Sequence, residues 1–348
     1  MGGGDVGDDR ESVARGGTAA RGGDGARFRP ISIGKLRESR PLATSFPPAG
    51  AEPTRHSDIA LGFTLPAAHA RGRIVRLGAA LDVILANHAY PPVIAQVLGE
   101  ALVLTALLGS TLKDEGGQLT VQAQAEGGVI DLLVCDYRGG EMRGYLRHDA
   151  ERLSTVADAP SLGELFGNGY LAITFDQAAT GERYQGIVPL EGASLAEAAE
   201  SYFDQSDQLP SLVRIAVEDR GAEGHVAGGL LLQYLPEGEE GRERLHVRGQ
   251  HEEWTHVETL GATVTPSELT DEALAPEALI WRLFHDEPEV RVLPPAALRR
   301  GCRCSAEHVR DVIGRFPVEE RAEMADEDGM IRVDCHFCAR VFPIPLAA

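Results

Sequence analysis

The chain has 348 residues and a formal net charge of −20. That acidity argues against a nucleic-acid partner, because a phosphate backbone has to be met by clustered Lys and Arg. The length suffices for one sizeable core plus a smaller domain. The five cysteines, with no secretory or lipidation pattern, fit a reducing cytoplasm better than a disulfide-stapled secreted protein.

Residues 1–56 hold eleven of the 40 glycines, many arginines and no apolar periodicity. Such a segment buries too little to offset the entropy of ordering and is expected to be a disordered extension. Asp5, Asp8, Asp9, Glu11 and Asp24 speak against a transit peptide, which is poor in acids.

From about Ser57 the chain becomes globular. Leu77, Leu81, Ile84, Leu85 and His88 recur at helical spacing, and Tyr90-Pro91-Pro92 opens a second helix, since proline suits a first turn. That helix, from Val93 to about Leu112, is apolar almost all round. Its length approaches a membrane span, but Gln96, Glu100, Thr105 and Ser110 interrupt it, so a helix buried in a core is expected.

The period then falls to two. Leu119, Val121, Ala123 and Ala125 alternate with Thr120, Gln122 and Gln124, as in a half-buried strand. Further strands are expected at Val129–Val134, Glu141–Arg147, Tyr170–Phe175, Tyr184–Val188, Leu212–Val217 and Leu230–Leu235. Gly167-Asn168-Gly169 lacks the Lys and the setting of a phosphate loop and reads as a tight turn. Ser194-Leu195-Ala196-Glu197 is a capping box that starts a helix towards Tyr202. Helices with many strands and no regular βαβ alternation indicate an α+β domain over 57–235. Cys135, alone in a strand, reads as a small buried hydrophobe.

Residues 237–290 carry 14 acids against 4 Lys/Arg. Thr265-Pro266-Ser267-Glu268 is a second capping box, and Pro276 starts a segment that puts Leu279, Ile280, Leu283 and Phe284 on one side. A charged helical linker over 236–295 with a narrow apolar seam is expected to be marginal, able to dock or detach at modest cost.

Four of the five cysteines fall in the last 47 residues, as Cys302-Arg303-Cys304 and, 30 residues later, Cys335-His336-Phe337-Cys338. Two close thiol pairs flanking a short segment make a tetrahedral thiolate cage for one Zn²⁺ within a C-terminal domain over 296–348. His308 and His336 are also within reach, but four thiolates already complete the tetrahedron. The C-x-C pair sits less comfortably on one ion than C-x-x-C would, and an oxidised Cys302–Cys304 pair would close a small, strained, readily reduced ring. A permanent zinc ribbon and a redox switch both remain open on spacing alone. No Ser/His/Asp or paired-carboxylate constellation can be picked out, so no catalysis is expected.

Beyond the cysteines, the chain contains NHAYPPV (Asn87 to Val93), LTALLGSTLK (Leu104 to Lys113), GNGYLAITF (Gly167 to Phe175), GERYQGIVPLEG (Gly181 to Gly192), YFDQSDQLP (Tyr202 to Pro210), AGGLLLQYLP (Ala227 to Pro236) and LIWRLFHDE (Leu279 to Glu287). Together, and in this order over about 58–348, they resemble the bacterial redox-regulated thirty-three-kilodalton heat-shock chaperone family. Two departures are the Gly/Arg-rich extension and the short tail of ten residues after Cys338. The resemblance implies an α+β core, a helical linker and a C-terminal zinc domain. It implies an ATP-independent holdase for unfolded client proteins, inactive while reduced and zinc-bound. It further implies oxidation to Cys302–Cys304 and Cys335–Cys338 disulfides with zinc release, and a homodimer when oxidised; from the net charge and the interrupted helix, no nucleic-acid or membrane partner is expected. It decides the C-x-C question for the switch.

Two other classes stay in view. A constitutive zinc-ribbon module would want a basic or aromatic face, whereas Glu307, Asp311, Glu319, Glu320, Glu323, Asp326, Glu327 and Asp328 make this one acidic. A thiol–disulfide oxidoreductase would want Cys335-His336-Phe337-Cys338 at a helix start, yet it follows the strand-like Met330-Ile331-Arg332-Val333.

Overall fold

The computed structural model of the chain describes residues 56–112, 116–157, 160–235 and 252–346. The expected disorder of residues 1–55 and most of the acidic run before Glu252 lie outside the described residues.

The fold is α+β. In chain order it runs β1 (Ile59–Leu65), β2 (Ala70–Leu77), α1 (Ala79–Leu85), α2 (Pro92–Gly109), β3 (Gln118–Gly127), β4 (Ile130–Arg138) and β5 (Glu141–His148). Two short helices, α3 (Ala150–Leu153) and α4 (Leu162–Phe166), lead to β6 (Gly167–Asp176), β7 (Arg183–Pro189), α5 (Leu195–Tyr202), β8 (Ser211–Asp219) and β9 (His225–Tyr234). Helices α6 (Glu252–Ala262), α7 (Pro266–Thr270) and α8 (Pro276–Phe284) follow. Next come the two-residue strands β10 (Arg291–Val292), β11 (Ala296–Ala297) and β12 (Arg299–Arg300). The chain ends in α9 (Ala306–Ile313), α10 (Val318–Met324), β13 (Met330–Asp334) and β14 (Val341–Pro345).

Two sheets face each other across α2. Sheet A has the order β10-β1-β2-β9-β8, with β11 also on β1, and sheet B the order β12-β5-β4-β3-β6-β7. The all-round apolarity of α2 follows from this position. One side meets Val75, Leu77, Val213 and Leu231 of sheet A and the other Leu119, Val121, Leu133, Leu146 and Ile173 of sheet B, in one continuous core. Burying a Leu- or Ile-sized side chain stabilises by roughly 1.5–3 kcal/mol, so this helix is the main support of both sheets. Sheet B alternates as expected because only one of its faces is covered by α2.

Three expectations change. Strands β1 and β2 were not foreseen: β1 is apolar on both of its covered faces, and Arg71, Arg73 and Arg76 interrupt β2, whereas the apolar runs of β8 and β9 in the same sheet were expected as strands. Leu61, Phe63, Leu65 and Ile74 point away from α2 into a second core, while Ala60, Val75 and Leu77 point towards it. Gly167-Asn168-Gly169 is no tight turn but the start of β6, paired with Gly127, Glu126 and Ala125 of β3. At Gly167 φ is +62° and a Cβ would stand 2.5 Å from the Glu126 carbonyl oxygen, so only glycine can carry the chain from α4 into the strand. Finally, the seam of the acidic helices is not narrow. Trp254 and Val257 of α6, Leu269 of α7, and Leu279, Ile280, Leu283 and Phe284 of α8 join Val264 in the second core, on the outer face of sheet A. The sequence could show the seam but not the platform that widens it.

The capping boxes differ in detail. Thr265 and Glu268 exchange both bonds, whereas Glu197 receives its return bond from the Ala193 N–H instead of from Ser194.

Candidate metal centre

The four clustered cysteines come from two turns. Cys302 and Cys304 leave β12 and precede α9, which Ser305 caps by accepting the His308 N–H. Cys335 and Cys338 form the turn of the β13–β14 hairpin, where the Cys338 and Ala339 N–H groups both donate to the Cys335 carbonyl at 3.1 and 2.8 Å. The four sulfurs lie within 4.8 Å of one another. Cys302 and Cys304 are 3.3 Å apart, Cys302 and Cys335 3.7 Å, and Cys304 and Cys338 3.5 Å. Sulfurs about 2.3 Å from a central zinc stand about 3.8 Å apart at the corners of a tetrahedron, so an all-thiolate set of this size fits that ion.

Protons are unevenly held in this cluster. Burial alone would raise the Cys302 thiol, but the Cys304 N–H and the neighbouring thiols donating to its sulfur bring it down to about 7. Burial and those same neighbours raise Cys304, and burial raises Cys335. Four sulfurs this close cannot all be anionic without a cation among them.

Around the sulfurs, Ile313, Ile331, Phe342 and Ile344 form a third, small core. What the sequence reading missed is how this unit is fastened to sheet B. The residues between the cysteines make the contacts. His336 stacks on Tyr145 at 4.9 Å between ring centroids, and its carbonyl lies 2.6 Å from His88 Nε2. Phe337 lies under the Arg143 guanidinium at 4.0 Å, a cation–π contact, and its carbonyl accepts from Asn87 Nδ2 at 3.2 Å. Arg303, between the C-x-C thiols, donates to Gln118 Oε1 at 2.9 Å and lies 3.4 Å from Asp136. Asp136 is only 3 % exposed and also accepts from Thr120 and from Arg143 Nε at 2.6 and 2.7 Å. The sulfurs thus face each other while the x residues of both motifs face the core. The sequence showed only that an arginine, Arg303, stands between the first two thiols.

The main chain before Cys302 is tied down as well. β10 and β11 pair with β1 at the edge of sheet A, and β12 pairs in parallel with β5 at the edge of sheet B. Residues 291–301 therefore run as a strap from α8, across both sheet edges, to the first thiol pair.

His336 is turned to the core by its stacking, and the described cluster of possible metal-ligating groups contains cysteines alone. Cys135 is fully buried against α2 and sheet B, with its thiol raised by burial. A Cys135→Ser chain is expected to keep one metal per chain on zinc titration, while losing about 1–3 kcal/mol of stability for its buried hydroxyl. Loss of metal binding in that variant, or two metals per chain in the parent, would refute this set of ligands. The C-x-x-C turn connects two strands of a hairpin, not a strand to a helix, so the setting of a thioredoxin-type motif is missing.

Comparison with known proteins agrees. The family model described as Hsp33 protein matches residues 58–344. The 33 kDa chaperonin of Caulobacter vibrioides is 41% identical over 295 residues, covering 82% of this chain and 94% of that protein. The 33 kDa chaperonin of Yersinia pestis is 39% identical over 272 residues, covering 77% and 85%. The crystal structure of the 33 kDa chaperonin from Thermotoga maritima has the same fold, with a TM-score of 0.67 at 21% identity over 83% of this chain and 96% of that one. With its two sheets around one helix, its covered platform and its four-cysteine cluster, the chain belongs to the Hsp33 chaperone family.

Proposed function

We propose that this chain is a redox-regulated, ATP-independent holdase that binds unfolded client proteins. Its reduced form holds one Zn²⁺ through Cys302, Cys304, Cys335 and Cys338. The observation that carries the reading is the double use of the two cysteine turns. Their sulfurs build the metal site, and Arg303, His336 and Phe337 beside those sulfurs fasten it to sheet B. The state of the thiols is thereby coupled to docking.

The chemistry needs an oxidant such as peroxide. For each proposed pair, Cys302 with Cys304 and Cys335 with Cys338, one thiol is oxidised to a sulfenic acid with release of one water. The second thiol displaces hydroxide from that sulfur to form the disulfide and a second water. Two thiols and one peroxide give one disulfide and two waters, with two electrons passing from sulfur to oxygen. Bound zinc would supply a charge centre that keeps all four sulfurs as thiolates, and disulfide sulfur is no longer such a donor. With the turns remade, Arg303 leaves Asp136, the knuckle leaves Tyr145 and Arg143, and the strap loses its anchor at β12. Helices α6 to α8 then remain on sheet A by their own contacts, and warming releases them to bare the apolar platform for clients. A cytoplasmic setting, where thiols rest reduced, and pairing of oxidised chains into a homodimer complete the proposal.

The test is aggregation of a heat-unfolding client with reduced or peroxide-treated protein, while metal release is followed with a chromogenic chelator. Suppression of aggregation is expected only after release, and fully only with warming. Equal activity in both forms would overturn redox control, and turnover in an insulin-reduction assay would favour an oxidoreductase.

A further inference from the structure

The helices over sheet A are held by more than apolar contact. On the outer face of β2 stands Arg76, with its side chain fully buried. Its Nε donates to the Leu269 carbonyl at 2.9 Å, its Nη1 to Leu274 at 2.8 Å and His56 at 3.1 Å, and its Nη2 to Glu268 at 3.1 Å. All four acceptors are main-chain oxygens. Glu268 and Leu269 belong to the last turn of α7, whose carbonyls have no partner within the helix. The next carbonyl, Thr270, accepts from Arg220 Nη2 at 2.8 Å, and Arg220 also pairs with Glu272 at 3.0 Å.

Two arginines of the core thus cap the end of one covering helix. Gly228 makes the approach possible. It is the β9 partner of Arg76, and a Cβ there would stand 2.0 Å from the Leu269 carbonyl oxygen. Burial lowers the pKa of Arg76, opposed by Asp271 and Glu272. A guanidinium withdrawn from water in this way is stable only while the carbonyls surround it, and the buried Leu269 carbonyl in turn gains a charged donor. Apolar contacts weaken gradually as a helix shifts, whereas this set of directed bonds is lost together.

We propose that Arg76, with Arg220 beside it, is the latch that fixes the linker helices on sheet A and sets how much warming bares the platform once the cysteine domain has opened. This rests on the reading of the linker as an inhibitory cover. Because Arg76 bonds only main-chain oxygens, its part of the latch depends on the path of the chain through α7 and the turn after it, while Arg220 adds one linker side chain, Glu272.

The experiment uses the full, reduced, zinc-loaded chain and its Arg76→Met and Gly228→Ala variants. Hydrogen exchange over 252–284 is read against exchange in β3 and β6 and against zinc content as controls of folding. Arg76→Met is expected to speed exchange of 252–284 about tenfold or more with both controls unchanged, and Gly228→Ala to do likewise while keeping the arginine. Arg76→Lys should fall between, since one ammonium cannot span the four carbonyls. Exchange of 252–284 in Arg76→Met within about twofold of the parent overturns the latch. If that variant does not fold, unchanged exchange in Gly228→Ala overturns it instead. Faster exchange without any gain in aggregation suppression would leave the latch standing and sink the reading of the linker as a cover.

Discussion

Stripping the metal from the reduced chain, or replacing Cys335 by Ser, is expected to unfold residues 299–346 and leave sheets A and B folded. The region's own core is four side chains, Ile313, Ile331, Phe342 and Ile344, each worth roughly 1.5–3 kcal/mol when buried. Ordering costs about 1–2 kcal/mol for every residue's backbone, and more than forty residues are ordered here. Structural zinc in small domains contributes on the order of 10–16 kcal/mol at neutral pH, the largest single contribution available to this one. The dock cannot replace it, because Arg303, His336 and Phe337 reach sheet B only when the two turns are held. Asp136 keeps Arg143 as a partner, so the core is not left with a bare buried charge. Hydrogen exchange at low temperature should show protection lost in β13, β14 and α9 and retained in β3, β4 and α2. Protection of β13 and β14 persisting after metal removal would show that their small core suffices and that the switch lies elsewhere.

Phe284→Ala is expected to activate the reduced, zinc-bound chain at a temperature where the parent is idle. Phe284 is fully buried at the end of α8 and meets Phe63 of β1 with ring centroids 5.6 Å apart. Removing such a ring costs about 3–5 kcal/mol, partly as a cavity. Here the loss falls on the contact between α8 and sheet A, since neither α2 nor sheet B touches that ring's core. The covering helices should detach several degrees lower, with metal content unchanged. Phe284→Leu should recover most of the effect, because it refills much of the space. Aggregation suppression measured against temperature, with metal content measured in parallel, gives the answer. A variant that loses global stability with no shift in the temperature of activation would show that the bared platform is not the client-binding surface.

What could be read in advance follows the reach of local rules. Sheet B, with one covered face, keeps the alternation that betrays a half-buried strand, and its strands were expected close to where they stand. Sheet A is covered on both faces, and Arg71, Arg73 and Arg76 interrupt its second strand, so no period marked β1 and β2. The acidic helices announced themselves by a capping box and by Leu279, Ile280, Leu283 and Phe284. Their acidity suggested a weak attachment because their partner surface was not visible. Cysteine spacing pointed to a thiolate cage, and the structure brings those four sulfurs together. It could not show which way the intervening side chains face.

By itself, then, the sequence determined the parts whose chemistry is local: the cysteine pairs, the capping boxes, the prolines that open helices, and the apolar stripe of each element. Tertiary structure alone decided which surfaces meet. Arg76 is an ordinary arginine until the end of α7 is laid across it, and Arg303 an ordinary residue between two cysteines until Asp136 lies opposite. The physical reason is that helix, turn and cage geometry are fixed by residues a few positions apart. A buried charge, by contrast, is tolerated only by partners far along the chain, such as those 193 and 167 residues away in these two cases.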